Sequence, residues 1–578
     1  MTHGTGNRVG GRVVGLLGLA ALVGGLVYDG IAQVPPRPGP DPWAGKLPKI
    51  GGVEIFSTWP KDRPEAVLIL SGQTFGFLSP CGCSRPQMGG LERRANAIAM
   101  LKAKGWPVAG VDLGDFYPLK SAVSEQGLLK YATGMSALRE MGYFAVGVGK
   151  TELDAGLLKV VAEYALQKEQ PPFALAGNVV GVSDKQVIPR EQYFPPAGNG
   201  KRPTVGLAEI ADVGTVPVGV VGVVGPSVAR AGEKADDNLG FLGNKDVLAP
   251  AVQALANHPK RPQLNVLLYQ GTADEARKVA GDFPQFQVVL CQSDDAEPPQ
   301  FPETISHKDG KKTLLVQVGH KGRYVGALGL FRKPDGSLDL QYQLVPLGEE
   351  FLTPETPEAE KANPVLPLLE EYAKQVKDRN FLAKVARLPH SAQIQKPDLN
   401  LSYVGSDRCL GCHASEFAKW KESKHSHAYE ALEVYAKRPS LRNFDGECIV
   451  CHTVGYGIKT GFESTEKTPA LKHVGCESCH GPGSGHMTAP RDAELLKLMS
   501  PWKANPADRL PDVATLERIA KAPPGGPGGI TDLPAAQQRI INFVSQTCTK
   551  CHDAENDPHF DLAKYWPKVI HGPGPAKQ

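Results

Sequence analysis

Between residues 51 and 348 short apolar runs alternate with amphipathic stretches. The runs 66–70, 108–113, 216–225, 264–269, 287–291, 314–318 and 324–331 are rich in Val, Leu and Ile and bounded by turn residues, the pattern of buried strands. Segments 91–104, 127–141 and 156–167 repeat their apolar positions at helical spacing. Strands alternating with helices predict a layered α/β domain over 51–348. Pro354, Pro357 and Pro364 then lead into a charged helical stretch, 368–387, so 349–400 reads as a helical connector or as a last helix packed onto one domain. From 401 to 578 long apolar runs are scarce, and the Pro/Gly-rich stretch 511–534 predicts an exposed excursion.

The first thirty residues follow another pattern. Arg8 and Arg12 precede an apolar run, 13–27, that Tyr28-Asp29-Gly30 interrupts. Basic-then-apolar order is that of an export signal, so 1–30 is expected to be a signal peptide or a retained N-terminal membrane anchor. Pro35, Pro36, Pro38, Pro40 and Pro42 make 31–50 a linker. Either reading puts the chain outside the cytoplasm, in the periplasm or an equivalent compartment.

At 578 residues the chain has room for several cores. Its net charge of +3 gives no reason to expect nucleic acid or another highly charged partner.

Cysteine placement changes the picture most. Eight of the eleven cysteines lie after residue 400, in four copies of Cys-x-x-Cys-His: Cys409/Cys412/His413, Cys448/Cys451/His452, Cys476/Cys479/His480 and Cys548/Cys551/His552. Two thiols one helical turn apart reach the two vinyl groups of one haem, and the adjoining His turns its imidazole onto the iron. Structural zinc or disulfides would not require His after every second Cys. The motifs therefore predict four covalent c-type haems and electron transfer as the output, with redox proteins as donor and acceptor.

Iron takes a second axial ligand, and His425, His427, His473, His486, His559 and His571 remain for that role after residue 400. The segments Tyr403-Val404-Gly405-Ser406-Asp407-Arg408-Cys409, Trp420-Lys421-Glu422-Ser423-Lys424-His425 and His473 to His486 resemble the tetrahaem cytochrome c-554 family. The resemblance implies a mostly helical domain over 401–578, with His425 as distal ligand of the third haem, His486 of the first and His571 of the last. It leaves His473 a ligand without an assigned iron, and His427 and His559 facing solvent. It also implies that the second haem, on Cys448/Cys451/His452, can lack a distal protein ligand. An open iron there gives the alternative function, a reductase or oxidase of small nitrogen or sulfur species.

The α/β stretch resembles the calcineurin-like metallophosphatase domain of the 5'-nucleotidase family, on Gly72-Gln73-Thr74-Phe75-Gly76, Gly89-Gly90-Leu91, Asp112-Leu113-Gly114-Asp115-Phe116 and 147–154. Gln73, Phe75, Lys150, Thr151, Gln270, Gln292 and Asp294 stand where that family places metal ligands, and Asp115 alone is kept. Two-metal phosphoryl chemistry needs a fuller set of hard or imidazole ligands, so the resemblance implies the fold without phosphatase or nucleotidase activity, a docking or scaffold module. Cys81, Cys83 and Cys291 are left over, as one disulfide with a free thiol or as a thiolate centre beside the vacated site.

Overall fold

The computed structural model describes residues 27–30, 48–50, 52–80, 87–165, 171–198, 200, 202–295, 297–505, 508–509, 511–522, 528–553, 556–557 and 560–571. Two seven-stranded sheets form the α/β region. In the first the order is Val27–Gly30, Ala208–Val213, Val216–Val224, Leu264–Gln270, Val288–Cys291, Lys312–Val316 and Glu303–Ser306. In the second it is Val205–Gly206, Phe173–Leu175, Tyr143–Gly147, Val108–Asp112, Ala66–Ser71, Tyr324–Arg332 and Leu338–Pro346.

Strand parity explains the layering. Leu68, Leu70, Val218, Val220, Leu264, Val266, Leu268 and Leu290 meet between the sheets. Val67 and Ile69 point the other way, onto the helices Leu91–Ala103 and Ser124–Met141. Val221, Val223, Leu267, Tyr269 and Val289 likewise face the helices Asn244–Asn257 and Ala273–Asp282. A strand buried on both faces shows no apolar/polar alternation, which is why these strands appear in the sequence as continuous apolar runs. The result is helix, sheet, sheet and helix in four layers.

The connector is less separate than its prolines suggest. Val365, Leu369, Tyr372, Val376 and Phe381 belong to the same apolar cluster as Ile98, Tyr131 and Leu138, so the helix Leu366–Asp378 closes the outer face of the α/β region. At the N-terminus, Val27–Gly30 pairs in parallel with Ala208–Ala211 as an edge strand. The remainder of the expected export segment, residues 1–26, lies outside the described residues, as does 31–47 of the linker. Among the described residues no helix is long and apolar enough to cross a membrane.

Beyond residue 401 the chain forms short helices around small apolar clusters, one of them Tyr429, Leu432, Ile449, Val454, Tyr456, Phe462 and Leu471. The expected excursion 511–534 is different in part. It contains the helix Val513–Lys521, whose Leu516 packs with Leu533 and Ile541 against Leu562 and Trp566.

Candidate functional site

Each Cys-x-x-Cys-His motif occupies one helical turn. The helix Gly446–His452 carries the second and Cys476–His480 the third. In the first and fourth, the His413 and His552 amides donate to the Cys409 and Cys548 carbonyls, both at 2.9 Å. A turn of this pitch puts residues three apart on one face, so both thiols of a motif address the same side.

The thiols of different motifs also meet. Cys409 contacts Cys476, Cys451 contacts Cys551, and Cys479 lies within electrostatic range of Cys548 and Cys551. These neighbours arrange the motifs in the spatial order first, third, fourth, second.

Among the described residues three histidine pairs face one another. Ring centres lie 6.0 Å apart for His413 and His486, 6.1 Å for His425 and His552, and 5.9 Å for His480 and His571. Two metal–imidazole bonds of about 2 Å each, with roughly 1 Å more from each nitrogen to its ring centre, place facing rings about 6 Å apart. The pairs therefore fit iron held between two imidazoles. Nδ1 of three of these rings is occupied elsewhere: His480 to the Met499 carbonyl at 2.7 Å, His552 to Asp557 at 2.8 Å and His571 to the Val569 carbonyl at 3.0 Å. Such bonds fix the ring and leave Nε2 for the metal. Burial lowers the basicity of His425, His480 and His486, which favours the neutral ligating form.

Two expected pairings are exchanged. His425 faces His552 of the fourth motif rather than the third, and His571 faces His480 of the third rather than the fourth. The cause is tertiary. Contacts of Leu562 and Trp566 with Leu516, Leu533 and Ile541 fold the helix Leu562–Val569 back, while Trp502 packs on His480 at 5.0 Å.

The second motif differs from the others. His452 Nδ1 bonds the Ala428 carbonyl, and among the described residues no histidine ring faces it at the distance of the three pairs. His473 joins no pair. Its Nδ1 accepts from the Tyr429 amide at 3.3 Å, so one peptide unit, 428–429, holds both His452 and His473. His427 is exposed and pairs with Glu430 at 3.3 Å, and His559 lies outside the described residues.

Two residues given no role by the sequence reading position the third site. Glu477 is 3% exposed and accepts the amides of Val404, Gly405 and Gly483, tying the third motif to the segment before the first. Trp420 Nε1 donates to the Val474 carbonyl at 2.8 Å. Glu477 lies inside the third motif, where its acidic side chain was the one available clue.

The other candidate cleft lies at the carboxyl ends of the α/β strands. Asp115 accepts from the Thr151 amide at 2.9 Å and from Gln292 Nε2 at 3.1 Å. Gln292 also donates to Gln270 at 2.9 Å, Gln270 donates to the Leu113 carbonyl at 2.8 Å, and Gln73 accepts from the Ser293 amide at 2.7 Å. Side-chain amides thus satisfy one another and Asp115 across these strand ends. Among the described residues no cluster of His, Cys, Asp and Glu is arranged to hold a metal ion. Burial raises Asp115, and burial with the Asp115 charge pushes Glu152 up to about 7. Cys291 is buried at its strand end, while Cys81 and Cys83 lie outside the described residues.

Comparison with known proteins divides along the same line. Residues 408–481 match the family of cytochrome c554 and c-prime. Cytochrome c-554 of Nitrosomonas europaea is 34% identical over 91 residues, which cover 14% of this chain and 39% of that protein's length. The α/β region is similar to the 5'-nucleotidase precursor of Thermus thermophilus, with TM-score 0.41, 18% identity, and coverage of 56% of this chain and 60% of that one. It is also similar to the Haemophilus influenzae NAD nucleotidase, with TM-score 0.39, 14% identity, and coverage of 55% and 70%. The layered architecture stands on the two sheets themselves.

Proposed function

We propose, from a C-terminal region that carries the cytochrome c554 family match, that this protein is an extracytoplasmic tetrahaem c-type cytochrome that relays electrons between redox proteins. The observation that carries the reading is the set of three histidine pairs at iron-spanning distance beside Cys-x-x-Cys-His turns. Bound haem supplies the one-electron chemistry. The chain's own residues supply the thioether anchors, Cys409, Cys412, Cys448, Cys451, Cys476, Cys479, Cys548 and Cys551, and the axial imidazoles His413, His452, His480 and His552.

His486, His425 and His571 complete three of the sites on their distal sides. The contacts between motif thiols support an order of passage first, third, fourth, second, with the second site at one end. The α/β region serves as a docking or scaffold module, because amides occupy the places of its metal ligands.

Intact mass after acid-acetone extraction tests the haem content. Four haems above the polypeptide mass are expected, and a smaller increment would remove at least one motif from the relay. A His452 ring that, among the described residues, has no histidine facing it at the distance of the three pairs favours one second reading, a small-molecule oxidoreductase at that site. Nitric oxide binding with turnover of a nitrogen or sulfur substrate would support it over a pure carrier.

A further inference from the structure

Lys130 lies on the helix Ser124–Met141 of the α/β region, and its side chain is only 8% exposed. A buried ammonium requires a nearby anion, because the low-dielectric interior replaces the water that would otherwise solvate it. The carboxylates that act on it both belong to the other region: Glu447 at 2.5 Å, then Asp445. Two further side chains converge on the same point. Gln126 donates to Asp445 at 2.9 Å, and the Tyr372 hydroxyl lies 3.3 Å from it. Asp445 in turn caps the helix Gly446–His452, which bears the whole second motif. The α/β region therefore grips the haem-bearing helix at the residue next to its first cysteine.

We propose that Lys130 is a positioning and electrostatic residue through which the α/β region sets the reduction potential of the second haem, separately from the other three. The proposal rests on the haem reading above. Reduction adds one electron to the iron, so a fixed positive charge beside the site stabilises the reduced state and a fixed negative charge opposes it. Lys130 and Glu447 form a charge pair of which either member can be removed alone. The other motifs have no corresponding contact from the Ser124–Met141 helix among the ion pairs of the described residues.

The test is redox titration of the full-length, haem-loaded protein, following the four haems by optical spectroscopy and the second by its high-spin signal. Lys130→Met should move that midpoint to more negative potential, and Glu447→Gln should move the same midpoint to more positive potential. Lys130→Arg should hold the wild-type value. A structural role alone would not reverse the sign between the two charge removals. The proposal is overturned if both variants move the midpoint in one direction, if all four midpoints shift together, or if none moves. Peptide mass is read alongside: unmodified Cys448 and Cys451 in the wild-type protein would overturn the haem reading itself, and this proposal with it.

Discussion

His425 and His427 lie two positions apart, yet the structure gives them different surroundings. His425 faces His552 at 6.1 Å, while His427 is exposed beside Glu430. His425→Ala should turn one low-spin haem high-spin and raise its potential, since a strong-field imidazole is removed. His427→Ala should leave the electron paramagnetic resonance spectrum unchanged. The exchanged pairing has its own check. In a protein already lacking the fourth haem through Cys548→Ala and Cys551→Ala, His425→Ala should add no further high-spin signal. An added signal would return His425 to the third haem.

Asp115 and Glu152 give a prediction with a definite sign. Burial raises both, and the Asp115 charge adds to it at Glu152, which goes from 4.5 to about 7. A carboxyl raised on folding contributes stability that is present below its unfolded value and is lost as pH rises through its folded value. Stability should therefore fall between pH 4.5 and about 7. Asp115→Asn, which removes the repulsion, should flatten that fall by on the order of 1–3 kcal/mol. Urea denaturation across this pH range measures it, and an unchanged slope would remove Asp115 as the cause.

Among the elements, those the sequence made legible are the ones buried on two faces. Ala66–Ser71 and Leu264–Gln270 present continuous apolar runs because alternate residues enter different layers. Tyr143–Gly147 and Phe173–Leu175 are too short to show a period. Asn244–Asn257 carries Pro250 in its interior, a residue that ordinarily signals a helix end. The four motifs were legible from local spacing, whereas the distal pairing depends on the fold-back of Leu562–Val569 and has no local signature.

The helix Ser124–Met141 offers a test of packing. Gly134 lies against Phe116, which is fully buried, and a Cβ there would come within 1.9 Å of the ring. Gly134→Ala should cost about 1–3 kcal/mol through overpacking, read by chemical denaturation. A neutral effect would show that the helix sits farther from Phe116.

At the scale of the whole molecule, the connector and the α/β helices bind the two regions together. Besides Lys130, the contacts include Arg438 with the Thr353 carbonyl at 2.9 Å and Glu370 with the Ser440 hydroxyl at 2.6 Å. These contacts fall near the second motif in sequence, while the first, third and fourth motifs hold the three histidine pairs. The described residues thus divide the four motifs into three with a facing histidine and one whose histidine stands alone. Spin quantitation by electron paramagnetic resonance of the oxidised, fully haem-loaded protein checks this division. Three low-spin haems and one high-spin haem are predicted; four low-spin haems, or more than one high-spin haem, would contradict it.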